Sequence, residues 1–198
     1  HQRLFRNGDE TMSKNYVNWA VLGCAKIAET SVIPGILSAN NAKLYAVASR
    51  EAGKRLDDFK NKFNPVKAYS SYEELLDDPE VDAVYIPLPN SLHYEWTIKA
   101  VEKKKHVLCE KPLGVTAKEV KDMFESARNN GVLLMEAFAY RQSPLTKKVK
   151  ELVDEGTVGK LKFIDSHFCF NEMNKANIRF IKDLGGGASY DVRCYNLN

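Results

Sequence analysis

An α/β domain, built on a parallel sheet with helices over both faces, is predicted by two regularities of this 198-residue chain. Six short runs are apolar nearly throughout, and amphipathic stretches separate them. Strands buried on both faces read as continuous apolar runs, whereas half-solvated strands alternate between apolar and polar residues.

The elements follow in order. VNWAVLG (Val17 to Gly23) is the first strand and ends at a glycine. A helical stretch from Ile27 to Ala39 contains Pro34, which predicts a kink or a late start. KLYAVAS (Lys43 to Ser49) is the second strand, and the charged EAGKRLDDFKNKF is the next helix. VKAY (Val66 to Tyr69) reads as the third strand, and SYEELLDD as a short helix capped by Ser71. DAVYIPLP, the helical SLHYEWTIKAVEKK and HVLCEKP supply the fourth strand, a helix and the fifth strand. Thr116 caps a helix that reaches Asn130 and stops at Gly131, and VLLMEAF is the sixth strand. Trp19 and Trp96 read as packing residues.

Composition bounds the function. The chain is 44% hydrophobic and 28% charged, as ordinary globular domains are, with a net charge of +3 from scattered basic residues. That distribution gives no reason to expect nucleic acid. No apolar run approaches the ~20 residues of a membrane span, and the polar start HQRLFRNGDETMSKNY lacks a signal core. Residues 1–16 are expected to be a flexible tail. Cys24, Cys109, Cys169 and Cys194 show no Cys-x-x-Cys spacing, so reduced thiols in a cytoplasmic protein are expected, with no metal site.

In a doubly wound sheet, ligands bind where the strand order reverses, at the carboxyl ends of the strands. The turn Gly23-Cys24-Ala25-Lys26-Ile27-Ala28 keeps only the first glycine of the Gly-x-Gly-x-x-Gly dinucleotide fingerprint. Ala25 and Ala28 are small enough to allow close backbone approach and tight helix packing, so the turn can present a diphosphate to a helix N-terminus. A plain strand-to-helix turn explains these six residues about as well; their place on the first strand favours the functional reading. At the end of the second strand, a free ribose 2′-hydroxyl calls for Asp or Glu. This chain has Ser49 and Arg50, with Lys54 and Arg55 a turn later. Arginine can bind a 2′-phosphate bidentately, which favours NADP while leaving NAD possible.

The turn, "PLPNSLHYEW", "CEKPLG", "MEAFAYRQSP" and "GGGASYDVRCYNLN" follow one another in the order seen in the Gfo/Idh/MocA oxidoreductases. From Val17 to Asn198 the chain resembles that family, most of all its branch of dimeric dihydrodiol dehydrogenases and NADP-dependent xylose dehydrogenases. The resemblance implies a Rossmann-type doubly wound domain over 17–138. It also implies the start of a second, α+β domain with an antiparallel sheet over 139–198, serving substrate and dimer contact. The implied activity is hydride transfer between nicotinamide and a hydroxyl- or carbonyl-bearing carbon of a sugar, polyol or dihydrodiol, in a homo-oligomer.

The resemblance also implies site residues. Lys111 is to hydrogen-bond the substrate oxygen, Tyr195 to exchange its proton and Asp191 to orient the substrate, Asp191 and Tyr195 sharing one helical face. Tyrosine ordinarily titrates near ~10, so Lys111 is expected to be the cation that brings it into range. Glu110 is to contact the nicotinamide ribose; Leu88, Pro89, Asn90 and His93 form the loop over the nicotinamide half of the cofactor, and Tyr140 and Arg141, on the loop after MEAF, are to line the substrate pocket, with Arg141 also reaching the cofactor. His93 is equally readable as a helix-start residue, and Glu136 as a structural partner.

Two departures stand out. The family has glycine where this chain has Arg193, which is therefore expected to crowd the site. The chain also reads as stopping early in the second domain, with KLKFIDSHFCF (Lys160 to Phe170) as the first strand of a sheet short of its partners. The alternative function is accordingly a non-enzymatic dinucleotide-binding regulator, or an inactive truncated fragment.

Overall fold

The computed structural model of the protein describes residues 15–198, so nearly all of the expected tail, 1–16, lies outside the described residues. Six parallel strands form one sheet: β1 (Val17–Leu22), β2 (Ala42–Ala48), β3 (Lys67–Tyr69), β4 (Ala83–Ile86), β5 (His106–Cys109) and β6 (Leu134–Glu136). Their order across the sheet is β3-β2-β1-β4-β5-β6. The chain therefore winds outward from β1 on one side and returns beside it as β4, which makes the β1/β4 boundary the switch point.

Side-chain alternation divides the core between the two faces. Leu22, Ile86 and Cys109 pack with Leu75, Trp96, Ala100 and Met123 on one side. Val21, Val47 and Tyr85 pack with Ile33, Ile36, Leu56 and Phe59 on the other. Each large apolar side chain so buried contributes about 1.5–3 kcal/mol. Trp96 meets Tyr72 edge to face at 4.9 Å, and Trp19 packs partly buried at the margin of the second cluster.

The helices are α1 (Ile33–Ser38), α2 (Lys54–Phe63), α3 (Tyr72–Asp77), α4 (His93–Glu102) and α5 (Ala117–Asn130). Pro34 acts as expected. A π turn over Ala28–Val32 leads without a break into α1, and Pro34, which has no N–H to donate, lies just past that irregular turn. Ser71 Oγ accepts from the Glu74 N–H at 3.3 Å, and Thr116 Oγ1 from the Glu119 N–H at 3.2 Å. Gly131 ends α5 at φ 69°, a left-handed conformation that suits glycine.

A buried polar knot braces the edge of the sheet. Asp78 accepts from Lys67 Nζ at 2.8 Å, the Tyr69 hydroxyl at 2.6 Å and the Glu80 N–H at 2.9 Å. Lys105 Nζ donates to the carbonyls of Asp78 and Val81 at 2.7 and 2.9 Å. Burial works to raise the Asp78 carboxyl, but the three donors outweigh it and hold the group well below the usual carboxylate range. A depressed folded-state pKa contributes stability above the unfolded value that is lost as pH falls through the folded one. We expect Asp78→Asn to lower the unfolding free energy by about 1–2 kcal/mol at pH 7. In denaturant titrations the deficit should shrink as wild type is acidified below about pH 4.

Beyond β6, α6 (Pro144–Asp154) is followed by irregular chain. Lys160–Phe170 is not the expected strand: no ladder among the described residues includes it, and Phe163 and Ile164 are 80% and 71% exposed. Its alternating aromatic residues suit a pleated surface, but a strand exists only beside a partner, and here none lies alongside. Two 3-10 turns, Ile178–Phe180 and Lys182–Leu184, then precede a π turn over Ser189–Arg193 and the terminal α7 (Cys194–Leu197). No helix among the described residues is long and apolar enough to cross a membrane.

Candidate active site

Two adjoining clefts open along the carboxyl ends of β1, β2, β4 and β5. The first, of about 510 Å³, is lined by Gly23 to Ala25 on one side and Ser49 to Leu56 on the other. Gly23 is held at φ 109°, and a Cβ built on it would lie 2.8 Å from Leu88 Cδ2. Only glycine allows this turn to pass beneath the β4 loop. Cys24 is buried beside it, its thiol pushed up to about 11 by burial against an opposing pull from Arg55, so it is not a nucleophile at neutral pH. Ala28 is fully buried, behind the clefts, where it packs the turn against the core.

The far end of this cleft is cationic, with Arg50, Lys54 and Arg55 all lining it beside Ser49. Lys54 is also tied to Asp58 at 2.7 Å in an exposed i,i+4 pair, which solvent screens. Leu88 and Pro89 form the opposite wall.

The second cleft, about 350 Å³, takes in Lys26, Ile27, Asn90, Glu110, Lys111, Asp191 and Tyr195. Lys111 Nζ donates to the Asp191 carbonyl at 2.6 Å and to Oδ1 of its carboxylate at 3.0 Å. The same ammonium lies 4.9 Å from the centre of the Tyr195 ring. Glu110 Oε1 accepts the Tyr85 hydroxyl at 2.7 Å, fixing the carboxylate at the strand end. Tyr195 itself packs in an aromatic cluster with Phe138, Tyr140 and Phe168.

Several expectations need correction. Lys111 sits over the face of Tyr195, not beside a lowered phenol: burial, then the charge of Glu110, push the tyrosine up to about 12. Tyr195 is therefore a protonated phenol at neutral pH. His93 lines neither cleft; it is fully buried, its Nδ1 2.8 Å from the Pro112 carbonyl and its Nε2 2.8 Å from that of Leu88. It thus joins the loops after β4 and β5. Arg141 is exposed and borders neither cleft. Arg193 is exposed as well and lines neither, so it does not crowd the site. Glu136 accepts the Leu113 N–H at 2.8 Å, and burial pushes its carboxyl up.

One charged neighbour escaped sequence reasoning. Arg179 Nε donates to Asp191 Oδ2 at 2.6 Å, so the aspartate is shared between two cations. Burial alone would raise Asp191; the bonds from Lys111 and Arg179 instead hold it below the usual carboxylate range.

The sequence pattern described as "Oxidoreductase family, NAD-binding Rossmann fold" matches residues 17–138. The chain belongs to the Gfo/Idh/MocA oxidoreductases. The C-terminal domain pattern of the Gfo/Idh/MocA proteins matches residues 146–198. A D-xylose 1-dehydrogenase (NADP(+)) of Haloferax volcanii is 43% identical over 181 residues, 91% of this chain and 55% of that protein. A trans-1,2-dihydrobenzene-1,2-diol dehydrogenase of Xenopus tropicalis is 34% identical, over 89% of this chain and 53% of its own length. Among solved structures, KijD10, a 3-ketoreductase from Actinomadura kijaniata in complex with NADP and TDP-benzene, superposes with a TM-score of 0.86 at 35% identity. That match covers 91% of this chain and 55% of KijD10. The chain spans about half the length of the Gfo/Idh/MocA relatives it matches.

Proposed function

We propose that this chain carries the cofactor site and reacting residues of an NADP-dependent oxidoreductase acting on a CH–OH or carbonyl carbon of a sugar, polyol or dihydrodiol. One observation carries the reading: Lys111, Asp191 and Tyr195 meet across 80 residues of sequence beside a glycine-turn cleft with a cationic end. The xylose and dihydrodiol dehydrogenases among the relatives support that substrate range, and the NADP-bound ketoreductase supports the cofactor.

The first cleft fits a dinucleotide. Gly23, lacking a side chain, lets the turn run beneath Leu88 and line the cleft with its backbone, and Arg50 and Arg55 provide permanent cations for a 2′-phosphate. A nicotinamide dinucleotide held there would supply or accept the hydride. The protein's part is positioning and charge. Lys111 has a third N–H beyond the two on Asp191, and this donates to the substrate oxygen as charge develops on it. Tyr195, protonated at neutral pH, gives its phenolic proton to that oxygen in the reducing direction and recovers it in reverse. Asp191 keeps the Lys111 ammonium aimed. His93 sets the distance between the two loops without touching the reactants.

The test is the nicotinamide absorbance band, followed with NADPH or NADP and a panel of aldoses, polyols, ketosugars and dihydrodiols. Substrate-dependent change is expected, and tight binding without turnover of any panel member would favour a dinucleotide-binding regulator. Arg50 is expected to set cofactor choice. Arg50→Asp should weaken NADPH about ten- to hundredfold, as the loss of one charge-assisted hydrogen bond implies, and NADH far less. Fluorescence titration measures both, and equal losses would assign Arg50 to the fold. We read the protein as a cytoplasmic homo-oligomer. The free state of Cys24, Cys109, Cys169 and Cys194 suits a reducing compartment, and the exposed Phe163, Ile164 and Met173 suit self-association. Sizing over a concentration series checks the latter.

A further inference from the structure

Asp191 is the most heavily shared group in the second cleft. Its side chain is 17% exposed; Oδ1 faces Lys111 Nζ at 3.0 Å and Oδ2 faces Arg179 Nε at 2.6 Å. Arg179 is not free to wander. Its backbone N–H donates to Asn177 Oδ1 at 3.1 Å, and Nη1 reaches the same oxygen at 3.3 Å. Its guanidinium lies 5.4 Å from the centre of the Phe170 ring, and its carbonyl accepts the Gly187 N–H at 2.8 Å. The glycine run presses directly on this turn: a Cβ at Gly186 would lie 2.7 Å from the carbonyl oxygens of Ile178, Arg179 and Ile181. The 3-10 turn that bears Arg179 and the π turn that bears Asp191 are thus locked to each other.

A carboxylate paired with Lys111 alone would be a rival of the substrate. As negative charge grows on the reacting oxygen, the ammonium must stabilise that oxygen while still facing a full negative charge on Asp191. A second cation on the far carboxylate oxygen draws off part of that charge and keeps the carboxylate in place when Lys111 shifts towards substrate. We propose that Arg179 is a positioning residue for the reaction: it divides the charge of Asp191 and so leaves Lys111 available to the substrate oxygen. This rests on the function proposed above. Arg179 lines the same cleft as Lys111 and Asp191, and its proposed part is played through Asp191.

The groups around Asp191 determine the pH behaviour. Lys111 faces it from the end of β5 and Arg179 from the 3-10 turn, while Cys194 and Tyr195 lie on its own helical segment and Glu110 borders the same cleft. The two cations keep the carboxylate ionised to low pH. Without Arg179, Asp191 should protonate at higher pH, and activity that needs the carboxylate should fail earlier on acidification.

The experiment compares Arg179→Met, Arg179→Gln and Arg179→Lys with wild type, measuring kcat, KM and their pH profiles. Both neutral variants should lower kcat about tenfold, as expected for a lost hydrogen bond between charged groups. NADPH affinity should hold within about twofold, and the acid limb should move up by about one pH unit. Arg179→Lys should restore much of the acid limb, because the charge returns. Variants that lose only thermal stability, with kcat and pH profile unchanged, would overturn the proposal. Should wild type turn over no substrate, the reaction assignment fails separately. The Asp191 carboxyl 13C titration, assigned with Asp191→Asn, then decides. An upward shift in Arg179→Met and Arg179→Gln sustains the charge sharing, and an unmoved titration refutes it.

Discussion

Lys111→Ala is expected to lower kcat by about two to three orders of magnitude, the scale of removing one preorganised donor at a developing oxyanion. NADPH affinity should change less than about twofold, because the ammonium faces Asp191 and Tyr195 in the second cleft and lines none of the first. Asp191 is not orphaned by the substitution, since Arg179 still holds its Oδ2. The fold should therefore survive, which circular dichroism and a thermal melt would establish. Tyr195→Phe is expected to cost about two to four orders by loss of the transferable proton. The double variant should be hardly slower than the worse single one if the two side chains act on one oxygen as a unit. Unchanged turnover in Lys111→Ala would remove the lysine from the reaction. Because Tyr195 is pushed up to about 12, the reducing direction should show no loss from its ionisation through pH 9. An alkaline limb near neutrality would belong to another group.

The second large effect is expected at Gly23. Its φ of 109° is one that side-chain-bearing residues rarely adopt, and a Cβ there would lie 2.8 Å from Leu88 Cδ2. Gly23→Val combines backbone strain of about 1–3 kcal/mol with overpacking of similar size. Leu88 is 9% exposed and has little room to retreat without moving the β4 loop. We expect a melting temperature lowered by about 4–24 °C, given about 2–4 °C per kcal/mol at this chain length. NADPH binding should become undetectable at micromolar protein. A variant that melts like wild type and still binds NADPH would show that the turn does not carry the diphosphate.

The strands were legible because burial on both faces leaves a signature that needs no partner to interpret: WAVL, within VNWAVL, and AVYI are apolar at consecutive positions. Caps such as Ser71 and Thr116 were legible for the same reason, since they bond within three residues. Lys160–Phe170 misled because its alternation describes a surface suited to pairing, and pairing depends on what lies beside it. His93 looked like a cofactor residue from its loop, yet its neighbours, the carbonyls of Leu88 and Pro112, come from two different strand ends. Arg179 had no signal at all. Its role depends on Asp191, 12 residues on, which in turn meets Lys111, 80 residues back, and no local pattern announces a carboxylate shared between two distant cations. Phenol acidity at Tyr195 was likewise a property of its surroundings: the ammonium lies over the ring while burial works on the hydroxyl.

The glycine run is seated on the nucleotide half by a pair of small contacts. Asn90 Nδ2 donates to the Gly185 carbonyl at 2.8 Å, a Cβ on Gly185 would lie 2.8 Å from Asn90 Cβ, and the Tyr190 hydroxyl reaches the Val115 carbonyl at 3.1 Å. The two parts of the chain are consequently not interchangeable modules. A chimera that joins this nucleotide half to a relative's second half inherits a working junction only if the donor brings a glycine to meet Asn90 and a tyrosine to meet Val115. A crossover that keeps these contacts paired should yield a folded chimera more readily than one that splits them.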